Sequence, residues 1–241
     1  MSADVMTKPA SEASPVLTAR IAGVFYLLTF LTGGLSLAFG GKVIVSGDAA
    51  ATAINIMAHV PAVQIDFEAD VLVVAWYIAV TALFYVLFKP VNRTVSLLAA
   101  FFSLVGCAIS GIGCLLDLAP LVVLGGDKYL NVFSTEQLQS LAYMFLKLNG
   151  TAHNIPLVFF GFYCLLIGYL VFKSTFMPRT IGVLMALAGL SWLTFLFPPL
   201  ASFLYPFNLL PGIVGEGSLT VWLLVMGVNA QRWREWAVAL N

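Results

Sequence analysis

Five stretches of this chain, 21–41, 71–88, 94–116, 154–172 and 180–215, contain no Asp, Glu, Lys, Arg or His. A helix needs roughly 20 apolar residues to cross a hydrocarbon core about 30 Å thick, so runs of this length constrain the chain before any other feature does. Only 9% of the 241 residues are charged and 61% are hydrophobic. Soluble domains use roughly 45–50% apolar residues. The chain therefore reads as an all-α polytopic membrane protein, with the lipid bilayer as its first partner.

Composition closes several other routes. The formal net charge is zero, so there is no basic field to hold nucleic acid. Cys107, Cys114 and Cys164 all lie inside apolar runs and form neither a disulfide framework nor a CxxC motif. The first apolar run is 21 residues long, beyond the roughly 7–15 of a signal-peptide core, and reads as a span.

Six spans are expected, near 20–41, 69–88, 94–117, 150–173, 179–200 and 209–229. Residues 1–19 read as a disordered polar tail. Residues 230–241 read as an interfacial tail anchored by Trp233 and Trp236. The 180–215 run is too long for one simple span and is broken by Pro198, Pro199, Pro206 and Pro211. A short apolar turn is expected at 198–211, and the sequence leaves open whether it re-enters the membrane.

Lys and Arg give the orientation. Lys8, Arg20, Lys89, Arg93, Lys173, Arg179, Arg232 and Arg234 fall on one side; Lys42, Lys128 and Lys147 fall on the other. That bias places both termini in the cytoplasm and the two long connections, 42–68 and 118–149, outside. Each long connection carries the signal of a short amphipathic helix. Asp48 is placed to N-cap a helix over 49–59, and Ser134 with Gln137 forms a capping box. Loops of this length are usually functional or disordered, so function is expected to face outward. A weak repeat, Phe88-Lys89 before Arg93-Thr94 and Phe172-Lys173 before Arg179-Thr180, fits three helical hairpins of one orientation.

Small and weakly polar residues mark helix contacts in lipid. Four such stripes stand out at 3/4 spacing: Tyr26, Thr29, Gly33, Ser36 and Gly40; Asp70, Tyr77, Thr81 and Phe84; Ser103, Gly106, Ser110, Gly113 and Asp117; Gly212, Glu216, Thr220, Leu223 and Gly227. The ionisable residues carry more information. Counted at ~1.5 Å per residue from the cytoplasmic ends, Asp70, Asp117 and His153 sit ~27–35 Å up, at the outer boundary. Lys147 lies just beyond it. Glu216 sits only ~18–22 Å up, where a charge costs about 2.5–3.5 kcal/mol on insertion scales and must face the bundle. The expected site is one outward-opening polar pocket lined by Glu216, Asp70, Asp117 and His153, with Lys147 at its rim.

Chemistry is not announced by any motif. His59 and His153 form no metal-binding pattern, and no metal or other cofactor is expected. Ser110, His153 and Asp117 lack a nucleophile elbow. No phosphate-binding loop is present. The leading reading is a non-enzymatic protein that binds or senses a lipid or small apolar ligand from outside. The alternative is a proton-coupled small-molecule transporter using Glu216, for which a homodimer would supply more spans. A weaker alternative is an intramembrane lipid hydrolase.

Several stretches together resemble a bacterial membrane family known as domain of unknown function 4386. They are Ala19-Arg20-Ile21-Ala22-Gly23-Val24, Gly47-Asp48-Ala49-Ala50-Ala51-Thr52 and Leu87-Phe88-Lys89-Pro90-Val91-Asn92-Arg93. Further on come Phe133-Ser134-Thr135-Glu136-Gln137-Leu138, Phe159-Phe160-Gly161-Phe162-Tyr163, Gly182-Val183-Leu184 after Pro178-Arg179, and Gly215-Glu216. Their order and spacing cover about residues 18 to 229. The resemblance implies six spans in a bacterial plasma membrane and brings no reaction or catalytic residue. Members commonly read Arg-Leu-His-Gly where this chain has Lys147-Leu148-Asn149-Gly150, so Asn149 stands here in place of a proton carrier.

Overall fold

A computed structural model describes residues 14–40 and 43–239. Lys8, most of the expected N-terminal tail and Lys42 lie outside the described residues. Six helices are long and apolar enough to cross a membrane. Among the described residues there is no strand. The helices are α1 (Pro15–Gly40), α2 (Ala49–Ala58), α3 (Val60–Phe88), α4 (Arg93–Leu124), α5 (Thr135–Ala152), α6 (Asn154–Lys173), α7 (Arg179–Leu193), α8 (Pro198–Leu204), α9 (Leu210–Val225) and α10 (Ala230–Ala239).

The long helices form a closed ring. α1 packs on α3, α3 on α4, α4 on α6, α6 on α7, α7 on α9, and α9 returns to α1. Each of the three hairpins runs along one ring helix, passes through an intervening helix (α2, α5 or α8) and returns along the next. Among the described residues, the opposite end carries the short connections 89–92 and 174–178 and α10. Many large apolar side chains, Leu31, Ile112, Leu115, Val221 and Val225 among them, are exposed on the ring's outer surface. Water would not tolerate that much exposed apolar surface, whereas lipid tails do.

Helix ends follow local chemistry. Asp48 caps α2, its Oδ1 accepting from Ala51 N at 2.9 Å. Asn92 does the same for α4 through Val95 N at 3.0 Å. Ser134 and Gln137 form a reciprocal capping box at the start of α5, Ser134 N donating to Gln137 Oε1 at 2.8 Å and Gln137 N to Ser134 Oγ at 3.3 Å. Three helices run past their expected ends. α1 starts at Pro15, so residues 15–19, expected in the polar tail, are helical. α3 starts at Val60 because Pro61 fits the first helical turn, where its missing N–H is not needed. Asp66 and Glu68, expected in the 42–68 connection, are therefore on the same helix as Asp70. α4 continues through Pro120 to Leu124. α5 and α6 follow one another almost without a break, parted only at His153. The α-helix of α7 ends at Leu193, and the stretch to Leu210 is two single-turn 3₁₀ segments around α8.

α6 and α7 meet backbone to backbone. A Cβ at Gly168 would sit 2.8 Å from Gly182 O, and one at Gly182 would sit 2.7 Å from Gly168 O. Seven residues further along each helix the same exchange recurs between Gly161 and Gly189. Only glycine permits such approach, which replaces the hydrophobic driving force that lipid does not supply.

α10 closes the short-loop end. Trp233 Nε1 donates to Leu87 O at 2.8 Å, Trp236 Nε1 to Thr175 Oγ1 at 3.0 Å, and Arg232 Nη1 to Thr175 O at 2.9 Å. Phe84, Leu87, Phe88, Leu170, Val171, Phe176 and Met177 fill the ring just inside that end.

Candidate functional site

The polar groups inside the ring fall into two layers. The deep layer is centred on Glu216, which is 8% exposed. Its Oε2 accepts from Tyr26 Oη at 2.5 Å and, at the longer 3.4 Å, from Tyr77 Oη. Its Oε1 accepts from Trp192 Nε1 at 2.6 Å. The Cys164 thiol lies beside the cluster, where the carboxyl acts on it electrostatically. The donors come from α1, α3 and α7 and the neighbouring thiol from α6, so with α9 five of the six ring helices meet at this side chain.

The register explains why they meet. Glu216, Tyr26, Tyr77, Tyr163, Cys164 and Trp192 each lie nine to thirteen residues from the short-loop end of their own helix. At ~1.5 Å per residue they occupy one plane ~14–20 Å along the ring axis. Gly212 makes the Trp192 bond feasible: any Cβ there would sit 2.2 Å from the indole ring, so the indole lies flat on α9, one turn from Glu216. The hydrogen-bond partners are two phenols and an indole, and none is a cation. Aromatic rings cover the cluster: Phe30 and Phe84 lie 5.7 and 5.8 Å from the Tyr26 ring, and Phe160 lies 4.6 Å from that of Tyr77.

The second layer lies near the long-loop end. Asp70 is eighteen residues from the end of α3, and Asp117 is twenty-four from the start of α4. Asp66 receives a hydrogen bond from Ser36 Oγ at 2.6 Å. Asn149 Nδ2 donates to Asp117 Oδ1. Asp66, Asp70 and Asp117 act on one another electrostatically, and His153 acts on Asp66. The three acids are half-buried and His153 is exposed.

Of the five residues expected to share one pocket, the structure therefore groups Asp70, Asp117 and His153 around Asp66. Glu216 is roughly 10 Å or more deeper, in the separate aromatic-lined layer. Lys147 is on another face of α5 from Asn149. With Tyr143, Leu146, Gly150 and Ile44 it lines a cavity of about 320 Å³. There its Nζ lies 5.5 Å from the centre of the Tyr143 ring, and Tyr143 Oη accepts from Gly47 N at 2.8 Å. Among the described residues, no group of three or more His, Cys, Asp or Glu is arranged to hold a metal ion.

The stripes of small and polar residues contributed Tyr26, Tyr77, Ser103, Gly106, Gly212, Glu216 and Thr220 to the buried interior. Ser103 Oγ and Thr81 Oγ1 are 2.5 Å apart there. Sequence reasoning passed over Trp192, Tyr163 and Cys164 as site residues, and the glycine crossings as well. The crossings had a usable signal, since Gly161 and Gly168, like Gly182 and Gly189, are seven residues apart in consecutive spans. Trp192 had none.

A family model, domain of unknown function (DUF4386), matches residues 21–227. The chain belongs to the DUF4386 family. The match takes in α1 from Ile21 onward, the other five ring helices, both polar layers and the connections between them, and leaves out residues 1–20 and 228–241. No curated protein and no solved structure gives a significant match. What this DUF4386 protein does must therefore come from its own geometry.

Proposed function

We propose that this protein is a plasma-membrane binder or sensor of a small amphiphile, with both termini in the cytoplasm and its ligand taken from the outer face. The observation that carries the reading is the cavity of about 320 Å³ between α5 and the 43–48 connection. Ile44 and Leu146 offer apolar walls, Lys147 a cation and Tyr143 a hydroxyl. Those groups suit an apolar chain ending in an anionic head, such as a lipid phosphate or a fatty-acid carboxylate. The charge bias supports the orientation. Arg20, Lys89, Arg93, Lys173, Arg179, Arg232 and Arg234 all belong to the short-loop end, against Lys128 and Lys147 at the other, among the described residues.

Native mass spectrometry from mild detergent tests this. The wild type should retain a discrete amphiphile, and Leu146→Trp, which fills the cavity, should lose it. Glu216→Gln should keep it, because that side chain lies in the other layer. Bare spectra from a well-folded wild type would end the reading.

A second reading, proton-coupled transport through Glu216, has one specific observation in its favour. The two helices that flank Glu216 and its Trp192 partner are joined by a broken segment, 194–209, and discontinuous helices are where many transporters bind substrate. Labelling of α9 cysteines from both faces of the membrane would be expected of a transporter, and labelling from one face alone would exclude it.

A further inference from the structure

The three connections at the long-loop end differ in kind. The first, 43–59, carries Asp48 and His59, and the second, 125–134, carries Asp127 and Lys128. The third, 194–209, has no charged residue and no His, and lies within the uncharged run 180–215. It exposes large apolar side chains instead: Leu196, Phe197, Phe203 and Phe207 all face outward, Phe203 being 83% exposed. α8 packs on the 3₁₀ turns that flank it, at 194–196 and 207–209. The outer side of the tip is therefore left bare by the rest of the chain, and a contiguous bare apolar patch marks an interaction surface.

Helix lengths say where the patch lies. At ~1.5 Å per residue, α3 and α4 rise ~42 and ~46 Å from the short-loop end, well beyond a hydrocarbon core of ~30 Å. α7 and α9 span only ~21 and ~23 Å, and the 3₁₀ turns add ~6 Å each. The third hairpin thus turns at ~27–29 Å, level with the edge of the core, while the other two turn above it.

Its polar groups are disposed as that depth requires. Non-helical backbone at membrane depth must have its hydrogen bonds met. Pro198, Pro199 and Pro206 have no N–H to satisfy. The N–H groups of Phe197, Ala201, Tyr205 and Leu209 bond to carbonyls three or four residues back. Ser191 Oγ donates to Asn208 O, Thr194 Oγ1 to Ser191 O at 2.7 Å, and Asn208 Nδ2 to Thr194 Oγ1 at 3.1 Å. Those three polar side chains are folded onto the hairpin's own polar groups, with the phenylalanines turned outward.

We propose that the tip of the third hairpin is a lipid-docking surface, with α8 embedded in the leaflet on the long-loop side and Phe197, Phe203 and Phe207 seated among its acyl chains. The patch is continuous with the lipid-facing belt of the ring through Leu190 and Leu210, both exposed. A surface without charge holds no headgroup by ion pairing, so the chemistry it recognises is the acyl chain. Exposed Tyr205 brings a phenol to the level where such rings meet headgroups. This surface is separate from the cavity beside Lys147 and from Glu216, on which the readings above rest.

Spin labels on single added cysteines in the reconstituted protein test it. Phe203→Cys and Phe207→Cys report the tip, Ile213→Cys the belt, and Val132→Cys, at a site 81% exposed, the second connection. The native cysteines are buried, and the labelled wild type gives their background. Oxygen concentrates among acyl chains, and a hydrophilic nickel complex stays in water. The oxygen-to-nickel collision ratio at Phe203 and Phe207 should approach that at Ile213 and exceed that at Val132 several-fold. A ratio as low as that at Val132 would put the tip in water and overturn the proposal. Labels shielded from both probes would mean that protein covers the patch, a second copy if the spins broaden one another, and would overturn it too. Should either tip variant fail to fold, Phe197→Cys carries the same readout.

Discussion

The two polar layers satisfy their carboxyl groups by opposite means. Glu216 is met by donors from three other helices, each on a side chain packed against other aromatic rings. Asp66, Asp70 and Asp117 are half-buried and act on one another; Ser36 donates to Asp66 and Asn149 to Asp117. A carboxyl far from water must have its lone pairs met by protein, since an unmet group costs several kcal/mol in hydrocarbon. One near the boundary shares the task with water and tolerates like-charged neighbours. The deep layer is thus a product of the whole ring, and the outer layer of two or three local contacts.

The sharpest way to break that contrast is to pry the ring apart. Gly182→Leu puts a side chain into the backbone of Gly168 and Phe172, and should cost at least about 3 kcal/mol, seen as loss of monodisperse protein in detergent. The deep layer should vanish first, because Cys164 and Trp192 sit on the two helices being separated. Next in size is Glu216→Ala. It strands the Tyr26, Tyr77 and Trp192 donors and opens a void, for a loss of about 3 kcal/mol in thermal unfolding. Glu216→Gln, which keeps shape and acceptor, should lose about 1 kcal/mol.

Smaller effects sharpen the comparison. Trp192→Phe removes one donor and should cost about 1.5–2 kcal/mol. Gly212→Ala should reproduce part of that loss by displacing the indole, read as altered Trp192 emission. Asp117→Ala should cost about 1 kcal/mol or less, since its main partner is Asn149 and water replaces it. An Asp117→Ala loss as large as that of Glu216→Ala would erase the distinction between the layers.

The sequence was legible where structure is local. The Asp48 cap and the Ser134–Gln137 box depend on residues three apart, and both formed as the spacing required. Glu216 was recognisable as a deep residue because depth is a count along one helix. The idea that it shares a pocket with Asp70, Asp117, His153 and Lys147 needed the relative rotation and register of several helices. A count along one chain carries no such information. Helix length was misjudged in the same way: α3 and α4 continue beyond their apolar cores, packed by neighbours.

The sequence by itself determined that this chain has six apolar crossings, where most of them turn, and that one acid sits deep among them. Insertion into lipid depends on the composition of each segment alone. Tertiary structure decided the closed order of the ring, the glycine crossing of α6 and α7, and the pairing of Glu216 with Tyr26, 190 residues away. In a bilayer the outside of a helix is as apolar as its inside, so no hydrophobic stripe tells which face turns inward. That choice belongs to close packing and buried hydrogen bonds, which exist only once the helices have met.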